Sequence, residues 1–199
     1  MKTYLSSIIF SKLADSTYGK ALSVDPSIDS NLLASLKSAI TRNQDPSRIC
    51  AEVARLFDVR ETEVALLQVK RSFLEFVFPE ELRSGGAIPL SSSAVAARTA
   101  TDKRPEIFNS FAVVKHASIF EVVKLGGSQA DLSDQVIQKL MSVPVVSREG
   151  KTVGVIQVSR KGRNPAVAGP DFTPSDLRTL ELAAEVIAPF FNSAPSGYA

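Results

Sequence analysis

Apolar residues recur along this chain first at helical spacing and then at strand spacing. Over residues 4–18, Leu5, Ile8, Ile9 and Leu13 fall at helical intervals among serines and Lys12, which predicts a short amphipathic helix. Gly19 to Asp29 is punctuated by Gly19 and Asp25-Pro26 and reads as a linker. Asp29-Ser30 then caps a second helix whose Leu32, Leu33, Leu36, Ala39 and Ile40 form one stripe. Asn43 to Pro46 is a break. Asp45 is suited to accept hydrogen bonds from the first free amides of a third helix, 46–58, and Pro46 suits its first position. That helix is expected to bury Ile49, Val53, Leu56 and Phe57.

After Asp58 the period shortens. Residues 63–70 and 73–78 are rich in β-branched and aromatic residues, with Arg71-Ser72 as the hairpin tip. Alternation sends Leu74, Phe76 and Phe78 to one face and Glu75 to the other. Gly85-Gly86 marks a turn, Ile88-Pro89-Leu90 a brief extended piece, and Ser91 or Ser92 the cap of a short helix through Ala97. Residues 100–142 hold no single period, although Asp131 to Leu140 reads as a helix. A second hairpin follows, Val143 to Ser147 and Thr152 to Arg160, joined across Gly150. Gly154 within a strand signals a close backbone or helix approach, and Pro144 places its strand at an edge or turns its nitrogen away from a partner. The last helix has Thr173 as N-cap, Pro174 at its first position and Asp176 as the capping-box acid; Phe172 and Leu177 are placed as a hydrophobic staple. Its two apolar tracks predict burial on more than one side, and Pro189 must end or kink it.

Helix, hairpin, irregular middle, hairpin, helix is satisfied by an antiparallel sheet with helices on one side and an irregular segment over the other. The expected division is a helical extension at 1–45, a domain at 46–192 and a frayed tail at 193–199. Composition agrees with one globular domain: 199 residues, 44% hydrophobic and 22% charged. With a net charge of +2, its densest basic clusters, Lys70-Arg71 and Arg160-Lys161-Gly162-Arg163, read as solvated turn charges, so no nucleic acid is expected. The apolar stretch Leu5 to Phe10 is too short for a signal peptide, and no stretch approaches a membrane span of about 20 residues. The expectation is a cytoplasmic protein with no membrane partner. One Cys and one His exclude an internal disulfide, a two-cysteine redox couple and any His-only metal cluster.

Three stretches give this order a family resemblance. They are Ile88-Pro89-Leu90-Ser91 leading into the Ala-Val-Ala-Ala helix and Arg104-Pro105; Val143-Pro144-Val145, Gly150 and Val153 to Val158; and Ser159 to Gly162, a loop, then Phe172 to Asp176 and an apolar helix. In this order, over residues 46–191, they resemble the GAF domain, a sensory module of many signalling and regulatory proteins. The resemblance implies an α+β fold, GAF-like and PAS-related: an antiparallel β-sheet with terminal helices on one face and an irregular helical lid on the other. Members variously bind cyclic nucleotides, bilins, haem, iron or small metabolites, and some only mediate dimerisation. The cyclic-nucleotide constellation does not match, since Asn109 precedes Ser110 and Phe120 precedes Glu121-Val122-Val123-Lys124. Cys50 lies on the first domain helix instead of at a bilin attachment position and reads as a small core hydrophobe. The methionine sulfoxide reductases of this family use several cysteines, which this chain lacks.

The expectation is therefore a non-enzymatic regulatory protein binding a small molecule in a pocket under residues 91–142, mediating dimerisation or partner binding, or both. No catalytic or metal-ligating set can be assembled. The pocket candidates are Phe78, Ser91, Phe108, Phe111, His116 and Phe120. A homodimer is expected through Leu32, Leu36 and Ile40 with the first and last domain helices. Two alternatives remain: a haem or other cofactor sensor using His116, and an interaction-only domain whose pocket is closed by its own phenylalanines. The cofactor itself is unknown.

Overall fold

The computed structural model describes residues 34–41, 45–111 and 136–193. Helical residues 34–41 precede α1, Pro46–Phe57. The Asp45 carboxylate accepts from the Ser47 amide at 3.0 Å, so the expected cap and the proline at the helix start both form. α1 buries Ile49, Cys50, Val53, Ala54 and Phe57, while Leu56 is only half-buried. It ends where Asp58 adopts a left-handed conformation, φ 48°. A 3₁₀ turn, Glu61–Glu63, leads into the hairpin β1, Val64–Lys70, and β2, Phe73–Phe78. After a second 3₁₀ segment, Glu80–Gly85, come β3, Ile88–Pro89; α2, Val95–Asp102; and β4, Glu106–Phe108. The long hairpin β5, Ile137–Val146, and β6, Thr152–Lys161, precedes α3, Pro174–Ser193.

The six strands form one antiparallel sheet in the order β3-β2-β1-β6-β5-β4. One face carries Val64, Leu66, Met141, Val143, Val145, Ile156 and Val158, and packs under α1 and α3. The opposite face carries Ala65, Leu67, Leu74, Phe76 and Val155 beneath α2 and the loops around Leu82 and Ile88. Gly154 permits the first packing. A Cβ there would sit 2.5 Å from the Leu67 carbonyl oxygen and 2.6 Å from the Phe191 ring, so the predicted close approach is real. Pro144 lies on the part of β5 beyond the residues that β4 reaches, Leu140 to Ser142, where the strand is an edge.

Several expectations are corrected. A shift in register between Leu66 and Leu67 pairs Leu66 with Phe78 and Leu67 with Phe76. This irregularity turns Phe78 onto the α1/α3 face, away from Leu74 and Phe76. Residues 137–140 are strand, not helix. Their polar members Gln138 and Lys139 are buried because distant partners satisfy them: the Gly162 carbonyl for Gln138, the Gly169 carbonyl and Asp171 for Lys139. Neither Ser91 nor Ser92 caps α2. Ala94 stands at that N-cap with no side-chain bond, and the Ser92 amide closes a turn onto the Pro89 carbonyl at 3.0 Å. Helix α3 continues through Pro189 to Ser193. Leu36 is fully buried in the α1/α3 core and Ile40 packs against it, with Ser35 bonded to Glu52 of α1 at 2.8 Å. Leu36 thus packs within its own chain. The helix expected at 4–18, the linker, Leu32 and the frayed tail lie outside the described residues, apart from Ser193 at the end of α3. No helix among the described residues is long and apolar enough to cross a membrane.

Candidate functional site

The sheet face opposite α1 and α3 holds the strongest candidate. Alternation along β5 and β6 turns Leu140, Ser142, Val155 and Gln157 toward α2, whose Ala96, Ala97 and Ala100 pack closely because they carry no more than a methyl group. Amid these apolar groups sits a polar cluster drawn from three elements. Thr99 Oγ1 of α2 lies 2.8 Å from Ser142 Oγ of β5, and Gln157 Nε2 of β6 donates to the same hydroxyl at 3.0 Å. All three residues are buried, Ser142 completely. Thr152 adds a bond to the Ala100 carbonyl at 3.1 Å, fastening the C-terminal end of α2 to β6.

Beside this cluster, Val95, Phe111, Ile137 and Leu140 form a separate apolar group with half-buried Phe108 against it. The Phe108 and Phe111 rings meet edge to face with centroids 5.9 Å apart. Arg98 of α2 clamps the Glu106 carboxylate through two 2.9 Å bonds and stands 5.9 Å over the Phe108 ring. Asn109 ties the same edge to the start of α3, since its amide donates to the Phe172 carbonyl and accepts the Phe172 amide, both at 2.9 Å. The arrangement sets mutually hydrogen-bonded hydroxyl and amide groups beside aromatic rings, a mixture of few polar groups and many apolar ones that small-molecule sites share.

Of the residues singled out in the sequence, the structure brings Phe108 and Phe111 together here. Phe78 lies on the other face of the sheet, and Ser91 is exposed in the turn before α2. His116 and Phe120 lie outside the described residues. Thr99, Ser142 and Gln157 were not legible as a group. They stand 43 and 15 residues apart, and each alone reads as an ordinary polar residue in a helix or strand. The one usable signal was alternation: Ser142 falls on a strand face between Leu140 and Pro144, and Gln157 falls on the same face as Val155.

Cys50, the single cysteine, is buried on α1, and burial first, then Glu61 and Asp45, pushes its thiol pKa far up. A thiol so held is not a nucleophile near neutral pH. Among the described residues no three or more His, Cys, Asp or Glu side chains are grouped to hold a metal ion.

Residues 47–192 match a family model described as GAF domain. No curated protein matches the chain. Among solved structures, the GAF domain from the Acinetobacter phosphoenolpyruvate-protein phosphotransferase is similar with a TM-score of 0.64 at 14% identity, covering 86% of this chain and 97% of that one. The GAF domain of the Coxiella burnetii phosphoenolpyruvate-protein phosphotransferase gives 0.60 at 8% identity, with 85% and 95% covered. The free methionine-R-sulfoxide reductase from Neisseria meningitidis, solved with its substrate, gives 0.56 at 15% identity, with 83% and 89% covered. At such identities the likeness is one of fold.

Proposed function

The chain belongs to the GAF domain family, and from that premise we propose that it is a non-enzymatic regulatory module that binds a small molecule against the α2 side of its sheet. One observation carries the reading: Thr99 of α2 and Gln157 of β6 converge on Ser142 Oγ of β5 within an apolar surface, next to the Phe108–Phe111 pair. Buried polar groups are costly to keep in such a surface unless they are hydrogen-bonded, and a few of them among apolar walls are what orients a small ligand. Phe111 and Ile137 are both buried in the apolar group beside that cluster.

The non-enzymatic part rests on the thiol. One neighbour of similar fold is a free methionine-R-sulfoxide reductase, and the family resemblance implies several cysteines for such a reductase. Here the single cysteine is sealed in the α1 core. Purified protein is expected to show no thiol-dependent reduction of free methionine sulfoxide. Measurable turnover that disappears in Cys50→Ser would overturn this part.

The binding part is tested by native mass spectrometry of the purified protein, followed by thermal shift against nucleotides, amino acids and central metabolites. A retained or saturable ligand is expected, and its effect should shrink in Ser142→Ala. A full screen without any shift would favour the interaction-only alternative.

A further inference from the structure

A concavity lies beside the start of β1, where the C-terminal end of α1 meets the end of β6. It is an open cleft of about 470 Å³ whose walls include Arg60, Glu63, Arg160, Lys161, Val167 and Ala168. Of the basic run that reads as solvated turn charge in the sequence, Arg160 and Lys161 are half-buried here, while Arg163 is exposed. Arg160 and Lys161 close β6, and their side chains fold back over α1 and the 3₁₀ turn that follows it. Arg160 Nη2 donates to the Phe57 carbonyl at 3.0 Å, and its guanidinium stacks 4.9 Å over the Phe172 ring. Lys161 Nζ donates to the Thr62 carbonyl at 2.8 Å.

The charges around this cleft do not balance. Glu63 is buried and already saturated, taking the Arg60 amide, Nε and Nη2 at 2.9, 3.2 and 3.1 Å and also the Lys161 amide. Asp58 also lines the cleft but is exposed to solvent. Arg160 and Lys161 form no ion pair among the described residues and are held only by backbone carbonyls and a ring face. Burial lowers the Lys161 pKa, Glu63 opposes this, and the Arg60 charge adds to it. Among the described residues these two half-buried cations have no carboxylate in ion-pair contact, the partner that such cations ordinarily have. The floor is partly apolar, with half-buried Val59, buried Ala168 and exposed Val167 at the rim.

We infer that this cleft is a second binding site, separate from the α2 side of the sheet, for a small organic oxyanion. Its phosphate or carboxylate group pairs with Lys161 and Arg160, and its carbon skeleton rests on Val59, Val167 and Ala168. The volume lies within the range of small-molecule sites, roughly 300–1,000 Å³. Arg60, already paired with Glu63, holds the wall in place.

Calorimetric titration of the full chain at low ionic strength tests this, with inorganic pyrophosphate and citrate as separate probes for phosphate and carboxylate. Saturable binding of at least one is expected, and the stronger probe identifies the headgroup. Lys161→Gln should raise its Kd about tenfold, the loss of one charge-assisted contact. Val167→Glu should weaken it at least as much without touching the core, because Val167 is 53% exposed. Lys151→Gln removes an equal charge from the exposed β5–β6 turn and should leave Kd within about twofold. The proposal falls if neither anion binds saturably, if Val167→Glu leaves Kd unchanged, or if Lys151→Gln weakens binding as much as Lys161→Gln. Because the α2 side shares none of these residues, loss of this site leaves the proposed function standing.

Discussion

A hydrogen in place of a side chain at Gly154 lets β6 pair with β1 on one side and lie under the Phe191 ring on the other. Gly154→Ala forces its new methyl against a backbone carbonyl that cannot yield and a ring already packed against Phe190, with centroids 5.3 Å apart. We expect a loss of about 1–3 kcal/mol in chemical denaturation, the usual cost of overpacking. Glu63 makes a different contribution. Burial alone would raise its pKa, but hydrogen bonds from Arg60 and the Lys161 amide, with the Arg60 charge, hold it below the usual glutamate range. A carboxyl whose folded pKa is depressed stabilises the fold above its unfolded pKa and loses that contribution as pH falls through the folded pKa. Stability should therefore decline as the medium is taken from about pH 5 into the acid range, and Glu63→Gln should flatten that decline. Denaturation midpoints measured across that interval check both. Gly154 was readable in the sequence as a close approach, because glycine weakens a strand interior and is kept there where a neighbour must come within reach of the backbone. Glu63 was not, because its donors come partly from Lys161, 98 residues away.

Helix α3 shows how far an element can be specified locally. Thr173 Oγ1 accepts the Asp176 amide at 3.1 Å, and the Asp176 carboxylate accepts the Thr173 amide at 2.7 Å, a reciprocal pair written in four consecutive residues. Thr173→Ala should cost about 1 kcal/mol, read as a lower urea midpoint with an unchanged denaturant slope. The start of β5 is the contrary case. Residues 137–140 carry Gln138 and Lys139 between Ile137 and Leu140, a spacing that also suits an amphipathic helix. Strand wins because β6 offers a ladder from Lys161 to Thr152, and the loop after it offers carbonyls at Gly162 and Gly169. Lys139→Ala removes the tie to Gly169 and Asp171 and should raise amide exchange in the loop 163–171 while leaving the β5–β6 ladder protected.

Over the molecule as a whole, the sheet separates two kinds of packing. The α1/α3 face is a continuous apolar core that takes in Leu36, whereas the α2 face mixes apolar groups with the Thr99–Ser142–Gln157 cluster. Ser142→Ala leaves the Thr99 hydroxyl and the Gln157 amide without their shared partner. A loss of about 1–3 kcal/mol is expected in thermal or chemical unfolding, beyond any effect on a ligand. Dimerisation through the terminal helices stays a proposal with less apolar surface behind it. Phe73 and Val167 are the large hydrophobics left exposed among the described residues, and neither is on a helix. If a dimer forms through α3, its half-buried Leu182 is the side chain to test. Sedimentation of Leu182→Glu at high micromolar concentration should then show a smaller species than the parent chain.

What the sequence determined by itself was whatever nearest neighbours decide: the capped starts of α1 and α3, the two hairpins between those helices and, through that order, the family. Capping and alternation act within a few residues, so a linear reading reaches them. Tertiary structure alone decided the rest. The register shift that turned Phe78 to the other face, the strand at 137–140, the polar cluster on Ser142 and the folding of Arg160 and Lys161 back onto Phe57 and Thr62 all depend on groups far apart in the chain. Whether a polar side chain is solvated or buried depends on partners that only the folded sheet brings within hydrogen-bond reach.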